Sequence, residues 1–416
     1  MSEHGAAAAF DLAIAGGGLV GASLALALAP LGLRIALVEG VAPGTGGHPS
    51  FDERTTALAN GTVRVFRSLG VWGHMEREAT PIRRIHVSEQ GRFGVARIDA
   101  AEQGLEALGY VLPNRVIGAG LWEGLRACAG VELFAPARVT GSEPAGDVRW
   151  LRFEQDGTER AIGARLVVAA DGARSLVREQ AGIAADHWAY GQTAIIATIS
   201  TQRFHDHVAY ERFTPDGPIA VLPLAGGRCG IVWMRPPEDA ARLLALPDAE
   251  FLAELQRAFG FRLGRLLEVG VRQSYELGLA RAASHVGERL AVVGNAAQAL
   301  HPIAGQGFNL GLRDAVTLAE VIADARAAGE RDPGAPQVLA AYGAWRNEDQ
   351  RRIVAFTDGL VRLFGSPLGL VRGLRSAGLL AFDAFPPAKS AMARLSVGAA
   401  GRVPRLARGV PLAREL

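Results

Sequence analysis

Short apolar runs, each ending at a glycine turn, set the pattern of this chain. Phe10 to Ala15 is apolar except for Asp11 and reads as a buried parallel strand. Gly16-Gly17-Gly18-Leu19-Val20-Gly21 follows at once. Leu19 to Leu31 then reads as a helix, closed by Pro30 and Gly32. Arg34 to Val38 is a second apolar run and ends at Glu39. Leu166 to Ala170 is a third, ending in Asp171-Gly172, and Leu290 to Val293 is a fourth, ending in Gly294. A long helix is expected over about 308–327, where Leu312, Ala315, Val316, Ala319 and Ile322 recur at helical spacing. Between 186 and 280 the pattern changes to alternating runs: Thr193 to Ser200, Ile219 to Leu224 and Cys229 to Met234. Ile82 to Val87 and Gly94 to Ile98 alternate in the same way. Their crowding predicts a second, mostly antiparallel sheet.

The first unit is β-α-β with a glycine turn, the context a dinucleotide fingerprint requires. Gly16 permits the tight turn. Gly18 lets the backbone approach a pyrophosphate, and Gly21 lets helix and strand pack closely. The helix N-terminus offers free N–H groups and partial positive charge. Glu39 stands where a carboxylate can accept ribose hydroxyls. This motif alone does not separate FAD from NAD. Asp171 is a carboxylate at a strand end, and by itself reads equally well as a turn residue. Gly305 and Gly307 precede the long helix, and such an entry suits negative charge. Together, in this order, the three segments read as one FAD site.

Composition narrows the classes. The chain has 416 residues, 49% hydrophobic and 21% charged, with a formal net charge of +2. That suits a soluble globular protein and gives no case for a nucleic-acid partner. Lys389 is the sole lysine, so the basic residues are nearly all arginine. Cys128 and Cys229, the two cysteines, make neither a disulfide framework nor a cysteine zinc site and read as buried fillers. His205 and His207 would share a strand face, but no third ligand is near, so no metal is expected. No signal peptide or spanning run is recognised. The expected location is the cytoplasm, with peripheral contact at the inner membrane face.

These motifs resemble the FAD-dependent aromatic monooxygenases of the para-hydroxybenzoate hydroxylase fold, over about Asp11 to Pro387. The resemblance implies an α/β fold: a Rossmann-like FAD domain, an inserted antiparallel substrate domain and a helical C-terminal region. It implies a discontinuous FAD domain at 1–80, 105–185 and 281–355, a substrate domain at 81–104 and 186–280, and the helical region at 356–416. It implies that Arg54, within Asp52-Glu53-Arg54-Thr55-Thr56-Ala57-Leu58, contacts the cofactor. Asp171 would serve FAD and NAD(P)H, Asn295 a ribose, and the backbone N–H groups of Phe308 and Asn309 the flavin edge. NAD(P)H would dock only transiently, since no second fingerprint is present.

One departure is informative. Gly294-Asn295-Ala296-Ala297-Gln298 stands where most of the family has Gly-Asp-Ala-Ala-His. With His301 to Gly311 and Phe356 to Phe364, it resembles the ubiquinone-biosynthesis hydroxylases, and most the branch acting on 2-octaprenyl-6-methoxyphenol. That implies a polyprenyl phenol and O2 as substrates. His301, at the flavin loop, could help deprotonate the phenol. The apolar tail with Lys389, Arg394, Arg402, Arg405, Arg408 and Arg414 could lie on a membrane or pack on the protein's own core. Other pathway enzymes or a second copy are further candidate partners. Alternatives remain: another ring position, a soluble phenol, a flavin-fold isoprenoid reductase, or an assembly subunit that keeps FAD for structure.

Overall fold

The computed structural model describes residues 9–41, 54–299, 306–349, 392–394, 397–398 and 401–413. Two large sheets dominate. The first runs Val286–Gly287, Leu290–Val292, Thr158–Ala169, Phe10–Ala15, Ile35–Val38, Val131–Phe134, with Val148–Gln155 and Arg138–Ala145 joined at the side. From Leu290–Val292 to Val131–Phe134 its neighbours are parallel. Both faces are covered at the centre, so Leu12 to Ala15, Ile35–Val38, Leu166 to Ala169 and Leu290–Val292 are apolar and buried. The helices Leu19–Leu28, Asn114–Arg126 and Gln306–Ala327 pack over one face in a single large core.

The second sheet is nine-stranded among the described residues: Gln298–Ala299, Gln273–Ala282, Ala185–Thr201, Cys229–Arg235, Ile219–Pro223, Val208–Phe213, Arg84–Glu89, Val95–Asp99, with Leu266–Val269 beside Ala185–Thr201. It is antiparallel except where Val208–Phe213 runs parallel to Arg84–Glu89. The helices Pro237–Ala245 and Asp248–Phe259 cover one face through Ile195, Ile219, Ile231 and Trp233. A small sheet, Thr55–Ala59, Gly109–Pro113 and Thr80–Ile82, lies between the two.

Some expected elements differ. The first α-helix stops at Leu28, and Ala29–Leu31 tightens to a 3-10 turn. Pro30 has no N–H to continue the α ladder, and Gly32 takes the left-handed conformation at φ 67°. The run at Ile82 to Val87 is two strands, split at Arg83, which donates its backbone N–H to His207 O (2.9 Å) and sends the halves to different sheets. Cys229 is buried as expected, but Cys128 is only half-buried.

The expected helical region at 356–416 lies mainly outside the described residues. Its described end packs on the protein itself. Leu406 and Leu412 enter the main core. Arg402 stacks over Trp345, and Arg405 pairs with Glu320 and Asp324. These two arginines are therefore engaged by the chain's own groups.

A buried charge network anchors this closure. Asp314 Oδ1 accepts from Arg346 Nε (2.7 Å), and Arg346 Nη1 donates to Asp349 Oδ2 (2.7 Å). Arg313 Nε donates to the same Asp349 oxygen (2.8 Å) and its Nη2 to Arg402 O (2.9 Å). Asp314 and Arg346 have no exposed side-chain surface. Removing one partner leaves the other charged in a dry interior, so Asp314→Ala should lower unfolding free energy by about 3–5 kcal/mol. Denaturant unfolding of the two proteins checks this, and a loss within about 1 kcal/mol would contradict it.

Candidate functional site

Three chain segments meet at the carboxyl ends of the parallel strands, where open α/β sheets bind ligands. The first turn is held by backbone. Gly16 N–H donates to Val38 O (2.8 Å) and Ala170 N–H to Ala15 O (2.8 Å). Gly16 sits at φ 102°, and a Cβ there would lie 2.5 Å from Ala170 O. A Cβ on Gly21 would overlap the Gly16 carbonyl oxygen. A Cβ on Gly17 would meet Glu39, Leu37 and Trp122 atoms at 2.9 Å. So this turn is a cradle only glycine can form. Gly18 is the N-cap of the Leu19–Leu28 helix and brings no capping side chain, so the first helical N–H groups receive no side-chain cap.

Glu39 is buried at the end of Ile35–Val38. Its Oε2 accepts from Gly17 N–H (2.6 Å) and its Oε1 from Val41 N–H (3.0 Å). These two bonds aim the carboxylate along the first turn. Trp122 Nε1 donates to Gly17 O (3.0 Å) and pins the turn from the Asn114–Arg126 helix. Nothing in the local sequence marks Trp122, because it lies 105 residues from the glycine it holds.

The second segment follows Ala169. Asp171 Oδ2 accepts from Val177 N–H (3.3 Å). Its Oδ1 is buried with no hydrogen-bond partner in the structure. Burial raises the Asp171 carboxyl pKa, and hydrogen bonds from Ser175 and the Val177 backbone partly offset this. Arg178, which no local motif marks, is buried and donates from Nη1 to Ala173 O (3.2 Å) and Ala296 O (2.9 Å). It ties the second segment to the third.

In the third segment Gly294 has φ 62°, and its N–H donates to Asp314 Oδ2 (2.9 Å). Gly311 and Gly294 both back onto Val20, so the third segment touches the first. Asn295 is exposed on this turn. Gly307 borders open space. Phe308 packs against Phe66, with ring centroids 6.2 Å apart. The Asn309 side chain is structural: Oδ1 accepts from Ala59 N–H (2.9 Å) and Thr62 Oγ1 (2.7 Å), and Nδ2 donates to Ala57 O (2.9 Å). His301 and Gly305 lie outside the described residues.

Arg54 precedes the Thr55–Ala59 strand of the small sheet. Its guanidinium lies 4.9 Å from the centroid of the Tyr275 ring, on the nine-stranded sheet. It therefore marks the seam between the two large sheets. His205 is spent internally: Nε2 bonds Leu224 O (3.0 Å), and Nδ1 accepts from His207 N–H (3.1 Å).

The cradle that admits no Cβ, the uncapped helix start and the orphaned Asp171 oxygen fit an FAD nucleotide and its hydroxyls. Fold and site define an FAD-dependent monooxygenase. The model of a family described as an FAD binding domain matches residues 9–357, and the chain belongs to that family. It is 40% identical over 412 residues to ubiquinone hydroxylase UbiL of Rhodospirillum rubrum, covering 97% of this chain and 93% of the relative. It is 34% identical to 3-demethoxyubiquinol 3-hydroxylase of Escherichia coli, covering 90% and 94%. The structure of p-nitrophenol 4-monooxygenase PnpA from Pseudomonas putida shares the fold, with TM-score 0.77 at 20% identity over 95% of this chain and 99% of that one.

Gly21→Ala forces a Cβ into the Gly16 carbonyl, an overlap costing about 1–3 kcal/mol. Flavin absorbance per purified protein should show at least about tenfold weaker FAD retention. Gly73→Ala, whose Cβ would meet nothing, is the control. Equal retention in the two variants would refute the cradle.

Proposed function

We propose that this chain hydroxylates the aromatic ring of a polyprenylated methoxyphenol in ubiquinone biosynthesis, giving the 1,4-benzoquinol. O2 and NAD(P)H are the co-substrates. Gly16, Gly18, Gly21, Glu39 and Asn295 hold the nucleotide half of FAD, and Asp171 its hydroxyls. Gly305, Gly307 and the backbone of Phe308 and Asn309 border the flavin. Bound FAD supplies the activation of oxygen, and the chain supplies position, dryness and proton control.

One observation carries the substrate reading. The nine-stranded sheet has two unlike faces. One is sealed by helices. The other is half-buried and aliphatic, with Ile196, Val232, Ala220 and Leu222 in neighbouring register. It looks toward the flavin side: Leu222 and Leu224 pack with Ala57, Ile82 and Val111 of the small sheet. An aliphatic wall suits a prenylated ring better than a small polar phenol. The kinship with ubiquinone hydroxylases supports the same substrate class. A second ring position is the competing reading, favoured by the relative named 3-demethoxyubiquinol 3-hydroxylase.

No helix among the described residues is long and apolar enough to cross a membrane. We propose peripheral contact, since a prenylated substrate resides in the bilayer. Metabolite analysis of a deletion strain grown in air decides between the readings. Accumulated polyprenyl-methoxyphenol, cleared by the wild-type chain and not by Gly18→Val, is the expected result. A later demethoxy precursor would move the ring position. Normal ubiquinone would overturn the pathway assignment.

A further inference from the structure

Glu211 is a carboxylate in the wrong place for structure alone. It lies on Val208–Phe213, paired with Ala220 on one side and Val87 on the other. Its neighbours Tyr210 and Arg212 point to the helical side: Tyr210 packs edge-on against Phe259, and Arg212 donates to Ala258 O (3.0 Å). Alternation sends Glu211 to the opposite face. Ala209, on that face, packs with Ile82, Val111 and Leu224. Ala220 continues the row to Val232 and Ile196. Glu211 thus interrupts the aliphatic row that looks toward the flavin side, with Ala220 before it and Val87 beyond it.

Its Oε1 is buried and has no hydrogen-bond partner. A buried carboxyl oxygen left without a partner beside an apolar wall is costly unless it serves a ligand. The charged groups around it are few. From the adjoining strand Arg84–Glu89 the face presents Ile85, Val87 and Glu89, the last two positions along from Val87. His86 and Arg212 belong to the other face, with Arg262 acting on both. Among the described residues no charge sets the Glu211 carboxyl, and burial pushes it up to about 7.

We propose that Glu211 takes the proton of the substrate's ring hydroxyl during hydroxylation. This rests on the phenol reading above. The phenol O–H bond breaks, a carboxyl O–H bond forms at Glu211, and the electron pair stays on the phenol oxygen. The step needs no oxidant. The resulting electron-rich ring is the form that attacks an electrophilic oxygen. A carboxyl titrating near neutral pH is matched to that transfer in both directions.

The test compares wild type with Glu211→Gln as FAD-loaded proteins. Each is chemically reduced and mixed with oxygenated buffer and a short-chain prenyl methoxyphenol. Wild-type hydroxylation should rise through about pH 7 as the carboxyl ionises. Glu211→Gln should lose that limb, slow by about a hundredfold and release more of the oxygen as peroxide. Melting curves give a readout independent of turnover. An acid whose folded pKa is raised costs stability as pH climbs from its unfolded to its folded value. Glu211→Gln should therefore melt higher than wild type at about pH 8 and equally at about pH 5. Hydroxylation with the limb intact in Glu211→Gln overturns the proposal and leaves the phenol reading standing. Wild type that hydroxylates no prenyl phenol overturns both, whatever the melting curves show.

Discussion

The cofactor end of the molecule depends on backbone meeting backbone with no side chain between. Gly16 rests on the Ala170 carbonyl, Gly21 on the Gly16 carbonyl, and Gly311 on Gly294. These approaches let strand ends from distant segments share one edge. At the first turn the Leu19–Leu28 helix begins with no side-chain cap, and an anion can meet its first N–H groups there. A single added methyl would part the segments, and the orphaned Asp171 oxygen and the aim of Glu39 would be lost with them.

Asp314 extends that arrangement inward. It receives the Gly294 N–H on one oxygen and Arg346 on the other. The turn that carries Asn295 is thus fixed to the long helix by a charge that must itself be matched. Arg346 and Asp349 match it, and Arg313 passes the network on to Arg402. A buried ionic cluster of this kind adds little net stability over apolar packing, but permits few alternative arrangements.

Much of this was legible in the residues. Glycines at strand ends, the acid closing Ile35–Val38 and the change from buried runs to alternation foretell a nucleotide sheet beside a second sheet. The groups that hold the glycines in place were not legible. Trp122 and Arg178 act over 105 and 118 positions, and no spacing rule reaches that far. The break at Arg83 was hidden because each half of the run alternates correctly; its cause is a tertiary bond to His207. Asn309 reads as a flavin neighbour by position, while its side chain is committed to Ala57, Ala59 and Thr62. Glu211 was not legible because Val208–Phe213, with Tyr210, Glu211 and Arg212 in a row, does not stand out as an apolar run. Only the topology shows that its face of the sheet looks inward.

The closure by residues 401–413 bears on how the molecule is made. Leu406 and Leu412 sit in the same core as the first strand and first helix, and Ser68 reaches across to the Leu406 carbonyl (3.2 Å). A nascent chain emerging from the ribosome can pair its early strands, but cannot seal that core until residues 401–413 have been released. Until then the nucleotide sheet exists with an apolar flank uncovered, and the interval before closure is when chaperones have most to hold.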